Sequence, residues 1–242
     1  MSGSGAVADP PGIVVPPRRV GRPRSQPEAT PGLDPREEIL NVAAELFTAK
    51  GYAATTTRMI AEGVGLRQAS LFHHFARKEE ILAELLDRTI RPAIAFADWA
   101  DREAVAVDVA FHALCWWDSH NLCSRPDNLA GLQLLHEARD DRFRGFWEDR
   151  DHLRDRYRRS IDAIGERDDD VELTTTLIFG LVESVLMWFD RDGPQSPQQV
   201  ASAIANAAVG IAGVAPASVA AIEVESARLR ARFAAAVGTP VE

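Results

Sequence analysis

Between Asp34 and Phe75 the chain is cut into three helical stretches, and no other feature narrows its possible folds as far. Asp34 suits an N-cap, Pro35 the first helical position, and Glu37 completes the spacing of a capping box. Ile39, Leu40, Ala43, Ala44, Leu46 and Phe47 recur at helical spacing, and Gly51 is a stop, so one amphipathic helix is expected over 35–50. Thr55 and Thr56 then offer caps for a short helix with Ile60, Ala61 and Val64 on its apolar face, interrupted at Gly63 and Gly65. A third short helix is expected from about Arg67 to Phe75. A long one begins at Glu79, with Ile81, Leu82, Leu85 and Leu86 turned inward. Two short helices around a glycine turn, after a longer one, form a helix-turn-helix layout.

Charge placement points the same way. The chain of 242 residues has a net charge of −9, yet residues 18–78 hold ten basic and six acidic side chains. An acidic total thus hides a basic N-terminal segment, which suggests a nucleic-acid contact at that end. Residues 1–32 are rich in proline and glycine and read as a flexible arm. Within it Arg18, Arg19, Arg22 and Arg24 lie on a proline-rich stretch that suits either a narrow minor groove or a solvated basic linker, and Gly21-Arg22-Pro23-Arg24 resembles half an AT-hook. Cys115 and Cys123 are too few for a disulfide scaffold or a four-thiolate zinc site. No apolar run near 18 residues and no secretory signal is evident. A soluble, cytoplasmic protein without membrane contact is therefore expected.

Helical periodicity persists beyond Glu79, so the fold class is all-α. Leu132, Leu135, Phe143, Phe146, Trp147 and Leu153 are inward candidates in the charge-rich stretch 132–159. Segments 170–190 and 197–214 are apolar on several sides, which requires burial on more than one face. A further helix near 217–236 places Arg228, Arg230 and Arg232 on its polar side.

The run Ala43-Ala44-Glu45-Leu46-Phe47-x-x-Lys50-Gly51-Tyr52-x-x-Thr55-Thr56 resembles the start of the tetracycline-repressor (TetR) family DNA-binding domain. The resemblance continues through Arg58-x-Ile60-Ala61-x-x-Val64-Gly65-Leu66 and Ser70-Leu71-Phe72-His73-His74-Phe75-x-x-Lys78-Glu79-Glu80-Ile81-Leu82. It implies an arm over 1–32, a helix-turn-helix DNA-binding domain over 33–80, and a helical effector-binding and dimerisation domain over 81–242. It further implies a homodimer joined through 170–190 and 197–214, a palindromic operator in double-stranded DNA, and a repressor released by a small molecule. Two positions depart from the family pattern. Arg67 stands where Ser or Thr usually caps the recognition helix, and Phe72 replaces a tyrosine whose hydroxyl often contacts phosphate.

On this reading base edges are met by Arg67, Gln68, Ala69 and Ser70 at the start of the recognition helix. Arginine pairs with guanine, glutamine with adenine, and alanine touches the thymine methyl. Thr55, Thr56, Arg58, Phe72, His73 and Lys78 are assigned to the DNA backbone, with His73 more outward than His74. Trp99, Phe111, Cys115, Trp116, Trp117, His136, Phe146 and Trp147 are candidates to line a pocket for a small apolar effector. No cofactor and no metal site is expected. The competing function is a helical enzyme or ligand-binding protein in which the helix-turn-helix is not the main activity. Against it, the sequence shows no Ser-His-Asp spacing and no glycine-rich phosphate loop.

Overall fold

The computed structural model describes residues 34–124, 132–133, 135–165 and 170–238, so the arm carrying Arg18, Arg19, Arg22 and Arg24 lies outside the described residues. The described residues contain ten α-helices and no strand. The first three are α1 (Pro35–Lys50), α2 (Thr57–Val64) and α3 (Gln68–His74), all close to their expected bounds. Asp34 caps α1 by accepting the Arg36 N–H, and Gly51, at φ 84°, ends it. Thr56 caps α2 through the Met59 N–H. Gly65 ends α2 in the left-handed region at φ 75°, and the Leu66 N–H returns to the Ala61 carbonyl at 2.8 Å. That glycine-dependent turn swings the chain directly into α3. Arg67 occupies the α3 N-cap and makes no side-chain cap bond, as arginine chemistry requires.

α4 (Lys78–Ala100) runs through both parts of the molecule. Its first half buries Ile81, Leu82, Leu85 and Leu86 among α1–α3; its second half buries Ala93, Phe96 and Ala97 in the larger core. Pro92 inside it removes one ladder hydrogen bond. Arg88 clamps α4 to α1 with a two-pronged bond to the Glu37 carboxylate at 2.7 and 2.6 Å and a third bond to Glu84 at 3.1 Å. Arg36 joins the same Glu84. The expected capping-box glutamate thus serves this interhelical clamp.

The larger part comprises α5 (Val107–Ser124), α6 (Arg144–Ile164), α7 (Val171–Glu183), α8 (Val185–Trp188), α9 (Pro197–Ile211) and α10 (Pro216–Val237). α5 is the hub, packed most extensively against α9 and then against α10, α4 and α6. The helical pattern expected across 132–159 becomes an α-helix only from Arg144, preceded by 3-10 turns over His136–Arg139 and Asp141–Phe143. Asp140 explains the break, because its carboxylate accepts the Arg142 N–H and holds a turn open to solvent.

Two further expectations are corrected. Val171–Trp188 has the length and mean hydropathy, 1.4, of a membrane-crossing helix, against the expectation of no apolar run near that length. Only 28% of it is buried, and it is split at Ser184 between α7 and α8. The expected burial of segments 170–190 and 197–214 on more than one face is not overturned: in the single chain they leave Leu173, Leu177, Met187, Trp188 and Ile211 exposed, as a face covered only by a partner would be. Arg230, expected on a polar side, is buried at 7% exposure.

Candidate nucleic-acid interface

α1 and α2 form the support on which α3 sits. Leu71 on α3 and Phe75 at its C-cap are buried in the apolar core that also holds Phe47, Ile60 and Ala61. The opposite side carries exposed Arg67, Gln68 and Ala69, half-buried Ser70, and exposed Phe72, His73 and His74. Gly63 lets α2 approach α1 closely, since a Cβ there would stand 2.5 Å from a Val42 methyl. The four expected base readers are therefore gathered at one helix start, with a rigid apolar base behind them.

Gln68 is already engaged. Its amide donates to the Thr57 hydroxyl at 3.0 Å, across the turn between α2 and α3. This bond presets the side chain and brings Thr57 into the site, a residue that sequence reasoning missed. No spacing rule signals it; only the folded turn places residue 57 beside residue 68.

The residues assigned to the DNA backbone divide. Thr56 is exposed at the start of α2. Arg58 is exposed but bonded to Glu62 at 2.8 Å, an i,i+4 pair that DNA would have to displace. Phe72 is 45% exposed and offers only its ring, while His73 and His74 are both exposed, with His74 at the edge of a cleft toward α4.

Thr55 is a correction. It is fully buried, and its hydroxyl donates to the Gly51 carbonyl at 2.9 Å and lies 3.2 Å from that of Leu46. It ties the α1–α2 loop and has no path to a phosphate. Lys78 is corrected in the same sense. Its ammonium donates to the Tyr52 and Thr55 carbonyls, each at 2.7 Å, and lies 4.0 Å from the Tyr52 ring centre. Burial lowers its pKa from the ordinary lysine value. Arg77, one residue earlier, is exposed at the α4 N-cap and makes no ion pair among the described residues. Adjacent basic residues at a helix start were visible in the sequence, but which one turns outward was not. Thr55→Val is expected to lower stability by about 1 kcal/mol, the usual net value of one hydrogen bond, and to leave sequence preference intact. Thermal unfolding beside a DNA titration checks both.

Among the described residues most of the expected effector lining is packed into the core. Phe111, Cys115, Trp116 and Phe146 are buried, Trp99, Trp117 and Trp147 pack against the core, and His136 is exposed on a 3-10 turn. Trp147 donates to the Ala138 carbonyl at 2.7 Å, and Trp116 to the Ser202 hydroxyl at 3.0 Å. These aromatic rings fill space with one another. A cleft of about 630 Å³ lies instead between the DNA-binding helices and α4, lined by Arg36, His74, Phe75, Glu84, Arg88 and Arg91, among others. A second, of about 210 Å³, lies between α4, α5 and α6 near Arg156. Among the described residues no group of three His, Cys, Asp or Glu side chains is placed to hold a metal.

One buried carboxylate stands out inside the core. Asp118 accepts the Tyr157 hydroxyl at 2.8 Å; burial pushes its pKa up to about 7, with Glu183 raising it further and Tyr157 and Arg150 opposing. The neighbouring Cys115 thiol is also raised by burial. Between pH 4 and 7 the folded protein therefore holds a proton that the unfolded chain has released. Stability falls as pH rises through that window and levels above it. Asp118→Asn is expected to raise the melting temperature at pH 8 and to change it little at pH 5, as unfolding scans at the two values would show.

The helix-turn-helix with its outward α3, joined by α4 to a helical core, has the layout of a DNA-binding regulator. Residues 39–85 match the profile of bacterial regulatory proteins of the tetR family, and residues 129–212 match a tetracyclin repressor-like C-terminal domain. The crystal structure of Mycobacterium smegmatis AmtR is 38% identical and superposes with a TM-score of 0.74, covering 87% of this chain and 97% of that one. The ketosteroid transcriptional regulator KstR2 of Mycobacterium tuberculosis is 25% identical with a TM-score of 0.65, over 73% and 94% of the two chains. The chain belongs to the tetR family. In sequence, the HTH-type transcriptional repressor KstR2 of M. tuberculosis H37Rv is 47% identical over 64 residues, 26% of this chain and 28% of that repressor. The chain thus matches little more than a quarter of the length of these curated repressors.

Proposed function

We propose that the chain is a homodimeric, cytoplasmic repressor that binds a palindromic operator through α3 and leaves it when a small, largely apolar molecule binds. The functional division is an arm over 1–32, a reading head over 33–80 and an effector and dimerisation domain over 81–242. The observation that carries this reading is the outward cluster of Arg67, Gln68 and Ala69 at the start of α3. Ser70 completes the base-reading set. Thr56, Arg58, His73 and Arg77 hold the DNA backbone and set register, while the base contacts set sequence. The arginines of the arm enter the adjacent minor groove.

Dimerisation is supported by the uncovered apolar face. Leu173, Leu177 and Trp188 recur along α7 and α8, beside exposed Ala203, Ala207, Gly210 and Ile211 on α9. Small residues on α9 admit close helix approach, and the larger ones supply apolar area. A two-fold axis there pairs the patch with itself. Selection from random-sequence DNA tests the proposal. An enriched inverted repeat, with half-sites spaced by about one helical turn or a multiple, is the expected result. Recovery of no common sequence would contradict it.

A further inference from the structure

α10 packs mainly along α5, and their seam holds an arginine without an acid. Arg230 lies with its guanidinium 3.8 Å from the Trp116 ring centre, and its Nη1 is buried with no protein acceptor. The partly buried arginines elsewhere are matched: Arg88 to Glu37 and Glu84, Arg150 to Glu183, Arg156 to Asp98 and Asp101. Arg230 makes no such ion pair among the described residues. The acid that acts on it, Glu223, stands two turns earlier on the same helix and does not touch it.

Two more buried donors lack acceptors in the same region, the Trp117 indole N–H and the Asn121 side-chain amide. They sit one turn apart on α5. Trp117 meets Phe233 edge-on at 4.9 Å, and Phe233 is one turn from Arg230 on α10. His120 stacks on Trp116 at 4.5 Å and is held neutral, its pKa pushed down to about 4 by burial and by Arg230. The seam therefore offers donors and positive charge without matching acceptors, inside aromatic walls. Uncompensated buried donors and charges are costly, and an acceptor-rich anion removes that cost.

We propose that the α5–α10 seam binds an organic carboxylate, its carboxyl on Arg230 and its apolar body among Trp116, Trp117 and Phe233. Neither cleft described above reaches the seam, so binding parts α10 from α5. The inference deepens the effector reading by naming the effector's chemical class, and it rests on that reading only for its consequence at DNA.

Titration of the full-length protein without DNA tests the site, with tryptophan fluorescence as the readout. The probes are sodium benzoate and sodium octanoate, with benzamide and inorganic phosphate as controls at constant ionic strength. At least one carboxylate is expected to bind saturably, at least tenfold tighter than benzamide. Arg230→Met is expected to lose that binding at least tenfold while melting no lower than the wild type, because it removes an unpaired buried cation. Absence of saturable carboxylate binding overturns the proposal, as does equal binding to Arg230→Met, a lowered melting temperature in that variant, or a preference for phosphate. A parallel titration of the operator complex separates the two readings. Carboxylate binding without DNA release supports the site and removes the ligand-released repressor.

Discussion

Replacing Arg67 and Gln68 together by alanine is expected to abolish sequence discrimination at least about thirtyfold, since each bidentate base contact is worth about 1–3 kcal/mol. Both side chains are exposed at the start of α3, and neither contributes to the apolar base beneath it. The helical circular-dichroism signal and melting temperature should therefore stay close to wild type. Thr57→Val refines the test. It removes the 3.0 Å bond that presets Gln68 and should weaken operator binding less than the double alanine variant does. Competition between operator and scrambled duplexes, read by fluorescence anisotropy, measures both. Unchanged discrimination in the double variant would move base reading away from α3.

Placing a charge in the apolar face is expected to separate the dimer. Leu177 is 54% exposed in the single chain and Trp188 52%, so neither is needed for the fold of one subunit. In the proposed dimer Leu177→Glu would bury a carboxylate without a partner, a cost of several kcal/mol. Sedimentation should show a folded monomer. Operator affinity should fall by about 10²–10⁴, because two tethered reading heads gain that much over one. A dimer of unchanged strength would place the interface elsewhere on the surface.

The DNA-binding half was legible because its signals are local. Pro35 and Gly51 bound one helix, Thr56 caps the next, and Gly65 supplies the left-handed turn that launches the third. Such signals act within a few residues and survive without tertiary context. Side-chain direction does not. Thr55 and Thr56 are adjacent and equally polar, yet the backbone step between loop and cap turns one hydroxyl into the core and the other outward. Lys78, expected to meet phosphate, is likewise turned onto the Tyr52 and Thr55 carbonyls, while Arg77 before it is exposed. In the larger half, the eight aromatic and polar pocket candidates share helical spacing with core residues, and spacing alone cannot separate a lining from a packed interior. Arg230 shows the limit most clearly. Between Arg228 and Arg232 it reads as part of a solvated face, but α10 rotates it onto Trp116. The two neighbours instead find Glu225 and Glu103.

The central claim is that this chain reads a specific DNA sequence as a dimer. The most direct measurement is binding of the purified full-length protein to the DNA flanking its own gene, followed by fluorescence anisotropy across a salt series. The account predicts that a dimer binds a defined segment of that DNA. Affinity should fall steeply with salt as phosphate-bound cations are released, and the preference over scrambled sequence should persist at each salt concentration. Equal affinity for flanking and scrambled DNA, with the same salt slope, would mean a basic surface without a reading head and would contradict it.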